Sequence, residues 1–144
     1  MVKAHFWKIG LAAGLCGLLL SGPVHAEDGF DSTTFHTIIK NQMNAFVSGN
    51  AKAAFSYATN SLQNRFQTPE IFMEMVKRTY QPVYHPRNVT FGRSMMTKLG
   101  PTQEVFVTGP KGKDWVALYS FEQQDDGSWR ISGCYLTKSE NFSA

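Results

Sequence analysis

Apolar residues change their spacing midway along the chain. Phe35, Ile38, Ile39, Met43 and Phe46 recur at three- and four-residue intervals, one face of an amphipathic helix. Ser32 or Thr33 can cap that helix, Gly49 stops it, and Asn50 can cap the next. Residues 51–58 are Ala-rich, with Ala54, Phe55 and Ala58 on one side of a short second helix. Residues 59–67 are polar around Leu62 and Phe66. Thr68-Pro69-Glu70 is a helix start, with a capping Thr, Pro at the first helical position and an acid in the first turn. Phe72, Met75, Val76 and Tyr80 mark the apolar face of that helix. Pro82 and Pro86 end helical structure, with extended backbone expected at Gln81 and His85.

From Asn88 the period falls to two. Val89 and Phe91 alternate with polar neighbours, and Gly100-Pro101 reads as a turn. Val105 and Val107 share one side of the strand that follows, and Gly109-Pro110-Lys111-Gly112 reads as a second turn. Residues 115–121 are apolar on both faces, which places that strand in the middle of a sheet. Asp125-Asp126-Gly127 is the strongest hairpin signal, and residues 129–136 close the set. Helices followed by an antiparallel meander predict an α+β domain. Its N-terminal helices would pack on a curved antiparallel sheet, leaving a cone-shaped interior.

Residues 1–26 carry the order of an export signal: Lys3 and Lys8, an apolar run over residues 9–20, then Ser21-Gly22-Pro23 and Val24-His25-Ala26. The run is far short of the roughly 20 residues of a spanning helix. Cleavage is expected after Ala26, with no stable membrane anchor afterwards and a periplasmic or secreted destination. Leu15 stands before Cys16 where a lipoprotein would carry a small residue. Beyond the signal, 12 of the 14 Lys and Arg remain against 11 Asp and Glu. The basic residues are spread singly, without the basic face of a nucleic-acid binder. Cys134 then has no internal partner for a disulfide, so stability must come from packing. All but one of the 11 Phe, all 5 Tyr and two of the 3 Trp lie beyond the signal and supply that packing.

Particular stretches carry a resemblance. Phe46-Val47-Ser48-Gly49-Asn50-Ala51-Lys52-Ala53-Ala54-Phe55 resembles the helix-Gly-polar-helix opening of nuclear transport factor 2-like domains. Asp126-Gly127-Ser128-Trp129-Arg130-Ile131 resembles their usual last strand. A closer resemblance is to the bacterial family called domain of unknown function 4864. It is carried by residues 49–55, by residues 80–92, by Thr108-Gly109-Pro110, by Trp115-Val116-Ala117-Leu118-Tyr119 and by Trp129-Arg130-Ile131-Ser132-Gly133-Cys134. With the signal over residues 1–26, the chain divides into a flexible lead over 27–34, a single domain over 35–138, which the resemblance implies is nuclear transport factor 2-like, and a tail over 139–144. No cofactor is implied. The wider superfamily holds isomerases, dehydratases and plain binding proteins, so the fold does not choose among them.

Candidate chemistry is sparse. Tyr80, Tyr84, His85 and Arg87 surround two prolines, either as a polar pocket rim or as a stiff connection packed on the sheet. Arg87 can grip a carboxylate with two hydrogen bonds. His85 is the best acid or base, but it has no carboxylate near it in sequence, and Glu104 or Asp114 would have to meet it in space. His36 reads as solvated beside Lys40. Glu70 and Glu74 suit a helix N-terminus and a pair with Arg78. Lys111 and Lys113 flank Gly112 without the spacing of a phosphate loop. The histidines lack metal-ligand spacing, so no metal site is assigned. Cys134 reads as inert packing. Tyr80, Tyr84, Arg87, Trp115 and Tyr119 form the expected ligand-binding set, with Trp115 and Tyr119 on one strand face. The reading is a non-catalytic module whose cone holds a small, largely apolar ligand, or whose sheet serves as a homodimer face. The rival is a small isomerase- or lyase-type enzyme using His85 or a strand carboxylate.

Overall fold

The computed structural model describes residues 31–142. The export signal expected over residues 1–26 lies outside them. Five helices come first: α1 Ser32–Val47, α2 Ala51–Ser56, α3 Asn60–Phe66, α4 Pro69–Thr79 and α5 Gln81–Tyr84. Four strands follow, β1 Asn88–Thr97, β2 Gly100–Thr108, β3 Asp114–Gln123 and β4 Trp129–Lys138, then a 3-10 turn over Ser139–Phe142. The strands make one antiparallel sheet in the order β1-β2-β3-β4. The change of period in the sequence thus marks the passage from helices to sheet, and the domain is α+β.

Side-chain caps fix the helix starts. Asp31, one residue before the expected caps, opens α1 by accepting hydrogen bonds from the Thr33 backbone N–H at 2.9 Å and the Thr34 hydroxyl at 3.1 Å. The hydrogen bonds from Thr33, then that from Thr34, favour the charged carboxylate and hold its pKa below the ordinary value. Asn50, Thr59 and Thr68 cap α2, α3 and α4 through their side-chain oxygens. α3 shows little apolar period because Leu62 and Phe66 are its only large apolar residues.

Two local expectations are corrected. Gln81 is helical, not extended. Pro82 sits in the first turn of α5, where a missing N–H leaves no hydrogen bond unmade. The break comes at His85, before Pro86, with φ −138°. The first hairpin turns through Lys98 and Leu99 instead of Gly100 and Pro101, which already pair with Thr97 and Met96. Gly100 has φ +96°, a conformation that excludes most other residues there.

The core lies between the helices and one face of the sheet. Phe35, Ile39, Met43 and Phe46 of α1 pack with Phe72 and Val76 of α4 on Val105, Ala117, Tyr119 and Phe121. Phe35 stacks on Phe121 with ring centroids 4.1 Å apart. β3 is central, as its double-sided apolar character predicts, and Trp115, Ala117, Tyr119 and Phe121 all belong to the helix side. The register shifts between Phe91 and Ser94 in β1 and between Ile131 and Gly133 in β4. Such bulges bend strands and increase twist. They help the sheet curl around the helices. Gly92 sits in the first bulge because a side chain there would run into the Glu104 carboxylate and the Phe106 ring.

Candidate functional site

The curled sheet and the helices leave a cavity of about 310 Å³. α1, α3 and α4 supply Phe46, Leu62, Phe66, Phe72 and Val76 to its walls, and β4 supplies Ile131. Gln42, Arg65, Tyr80, Tyr119, Ser132 and Cys134 are the residues with polar side-chain atoms among its lining. Two of these are already engaged within the fold. The Gln42 amide donates to the Ala54 carbonyl at 3.1 Å, and the Ser132 hydroxyl donates to that of Ser120 at 3.0 Å.

Tyr119 differs. It is 1% exposed, and its hydroxyl has no hydrogen-bond partner among the described residues. Its cross-strand neighbour is Cys134, whose thiol interacts with the phenol but without hydrogen-bond geometry. Burial, with the Cys134 thiol adding to it, pushes the Tyr119 phenol well above its ordinary range. Cys134 is only half-buried as a whole residue, but its thiol is crowded by core atoms. That burial pushes its pKa up to about 12. Burial also raises Tyr80, with Cys134 contributing second. Tyr119 and Cys134 therefore stay protonated at neutral pH. They offer neutral donors, not a base or a thiolate nucleophile.

The expected ligand-binding set divides. Tyr80 and Tyr119 line the cavity. Tyr84 does not: it packs 6.1 Å from the Phe46 ring and 4.6 Å from the His85 ring. Arg87 is exposed, held by its backbone N–H donating to the Thr108 carbonyl at 2.8 Å. Trp115 lines a separate groove beyond Tyr80. The acid-base pairing of the rival reading does not assemble. His85 is exposed against Tyr84, Asp114 accepts from the Thr108 hydroxyl at 2.7 Å, and Glu122 is exposed. Glu104 is buried on the sheet face opposite the helices, 3.9 Å from the exposed Arg93. No His, Asp or Glu is among the described residues lining the cavity.

His36 is not solvated as the sequence suggested. Its ring stacks on Phe91 at 4.0 Å, and its Nε2 donates to the Gln103 side-chain oxygen at 3.1 Å. Sequence reasoning missed Gln42, Leu62, Arg65 and Ser132 as cavity residues. Only the four-residue spacing of Leu62 and Phe66 carried any signal for them.

Among the described residues, no group of three or more His, Cys, Asp or Glu could hold a metal ion. No described helix is long and apolar enough to cross a membrane. No curated protein matches the chain. The sequence does match the family described as Domain of unknown function (DUF4864) over residues 29–144, and the chain belongs to that family.

Proposed function

We propose that this is an exported, non-catalytic binding module of the nuclear transport factor 2-like superfamily, whose cone takes a small, largely apolar ligand bearing a hydrogen-bond acceptor. The observation that carries this reading is the Tyr119 side chain, which lines the cavity while its buried hydroxyl has no partner of good hydrogen-bond geometry among the described residues. Leaving such a group unpaired costs about 1–3 kcal/mol. A ligand acceptor reaching the phenol would recover part of that cost. The walls favour an apolar body, and a few polar groups suffice to orient it. Two buried groups that stay protonated at neutral pH suit recognition more than proton transfer.

The test is titration with a neutral, apolar fluorescent ketone, read by emission and by calorimetry. Binding is expected in the wild type. Tyr119→Phe should weaken it by about 0.5–1.5 kcal/mol, the net worth of one hydrogen bond. Leu62→Trp, which fills the cavity from α3, should abolish it. Absence of binding, or binding indifferent to both substitutions, would remove the reading.

A further inference from the structure

A second depression, of about 540 Å³, lies beyond Tyr80, which lines both it and the cavity. Distant parts of the chain bring cations to it. Arg78 comes from the end of α4, and Lys111 and Lys113 come from the turn between β2 and β3. Arg87 reaches the same turn: a side chain at Gly112 would sit 3.6 Å from its Nη1. All four are exposed, and none has an acidic partner within salt-bridge distance among the described residues. No Asp or Glu is among the described residues lining the groove. Asp114 and Glu140 lie with Lys113 around a separate depression, outside this groove.

Like charges gathered around a groove whose lining holds no acid repel one another, so their placement there adds little to the stability of the fold. An exposed ion pair contributes only about 0–1 kcal/mol. A singly charged ligand would gain little here, whereas one with two or more charges engages several cations together. The rest of the lining includes three aromatic rings, Tyr80, half-buried Trp115 and Tyr135, which is 63% exposed, beside Pro82, Pro110 and Leu136. Exposed ring faces suit a flat ring, and stacking of this kind is worth about 1–3 kcal/mol. The Lys111-Gly112-Lys113 turn leads into a strand, so capture relies on side-chain charge and not on the N–H groups at a helix start.

We propose that this groove binds a ring-bearing phosphate compound carrying two or more negative charges. The volume is within the range of small-molecule sites, roughly 300–1,000 Å³. Attraction between exposed charges is screened by salt, so affinity falls as ionic strength rises.

Calorimetric titration of the protein with ADP, inorganic pyrophosphate and adenosine at low salt tests the proposal. ADP should bind, with pyrophosphate and adenosine each weaker by about tenfold or more, since each lacks one half of the recognition. Lys111→Glu with Lys113→Glu should weaken ADP by about 100-fold, and Tyr135→Ala by several-fold, with melting temperature unchanged because these side chains are exposed. Leu62→Trp, which blocks the inner cavity, should leave ADP binding intact. Failure of ADP to bind, equal binding of pyrophosphate, or indifference to the double charge reversal would each overturn the proposal. So would sedimentation with phosphatidylglycerol vesicles in the absence of ADP binding, which would make the groove a membrane-surface contact.

Discussion

Gln103 and Tyr119 face each other across neighbouring strands, and both are buried, at 0% and 1% exposure. Their polar atoms have opposite fates. The Gln103 amide nitrogen donates to the carbonyls of Gly92, Arg93 and Glu104, at 3.1, 3.3 and 2.8 Å. Its oxygen accepts from His36 and from the Ser94 hydroxyl. The Tyr119 hydroxyl has none of this. Gln103 lies where β1 bulges and its carbonyls need partners, and it makes that end of the core self-sufficient. Tyr119 lies where residues of α3 and α4 share a cavity with the sheet. A buried polar group satisfied from within is a part of the fold. One left unsatisfied beside a cavity marks a place where the fold itself supplies no partner.

The sharpest way to break this comparison is Gln103→Leu. It strands carbonyls of the β1 bulge together with His36 and Ser94, and each stranded buried group costs about 1–3 kcal/mol. Urea unfolding should show a loss of about 3 kcal/mol, a sum limited by relaxation toward water at the sheet edge. A loss under about 1 kcal/mol would mean that the network is dispensable.

The second effect is alkaline. The Cys134 thiol is neutral when protonated, and folding raises its pKa from 9.0 to about 12. Above pH 9 the unfolded chain therefore gives up this proton while the folded chain keeps it, so stability falls as pH rises. The slope can reach about 1.4 kcal/mol per pH unit, and nothing is lost from this group well below pH 9. Unfolding midpoints between pH 8 and about 10.5 should show this decline, and Cys134→Ser should flatten most of it between pH 9 and 10. A slope identical in the variant would place the thiol in contact with solvent.

Tyr119→Phe sharpens the comparison from the other side. Removing an orphaned hydroxyl should leave stability unchanged or raise it by up to about 1 kcal/mol, even as the apolar ketone binds less well. A clear destabilisation would reveal a hidden internal partner. Tyr84→Phe should have the smallest effect, within about 0.5 kcal/mol on both stability and binding, because Tyr84 does not line the cavity.

The sequence made much of the frame legible. The three- and four-residue recurrence from Phe35 to Phe46, the Thr68-Pro69 start and the Asp125-Asp126-Gly127 hairpin all operate through neighbours in the chain. Those local forces survive in the folded protein. α3 and α5 were harder. One has only two large apolar residues, and the other tolerates a proline because it is no longer than its own first turn. The sites were mostly illegible because they are assembled from a distance. Nothing in the chain says that Gln103 will spend its amide on a bulge, or that Tyr119 beside it in the sheet will not. Arg78, Arg87, Lys111 and Lys113 look scattered until the turn after β2 folds back toward the end of α4.

The junction between α2 and α3 also guards the domain. The Thr59 N–H donates to the Ile131 carbonyl at 3.0 Å, and the Ile131 N–H donates to the Tyr57 carbonyl at 2.8 Å. Ala58 thereby forms a parallel bridge with Ile131 on the outer edge of β4. An open strand edge is a template for pairing with another chain, and closing it with a piece of the same chain removes that opportunity. At the opposite edge, the Gly92–Arg93 bulge interrupts the regular spacing that an incoming strand would need. The sheet is thus stopped at both sides, which favours a four-stranded unit that does not grow into fibres by strand addition.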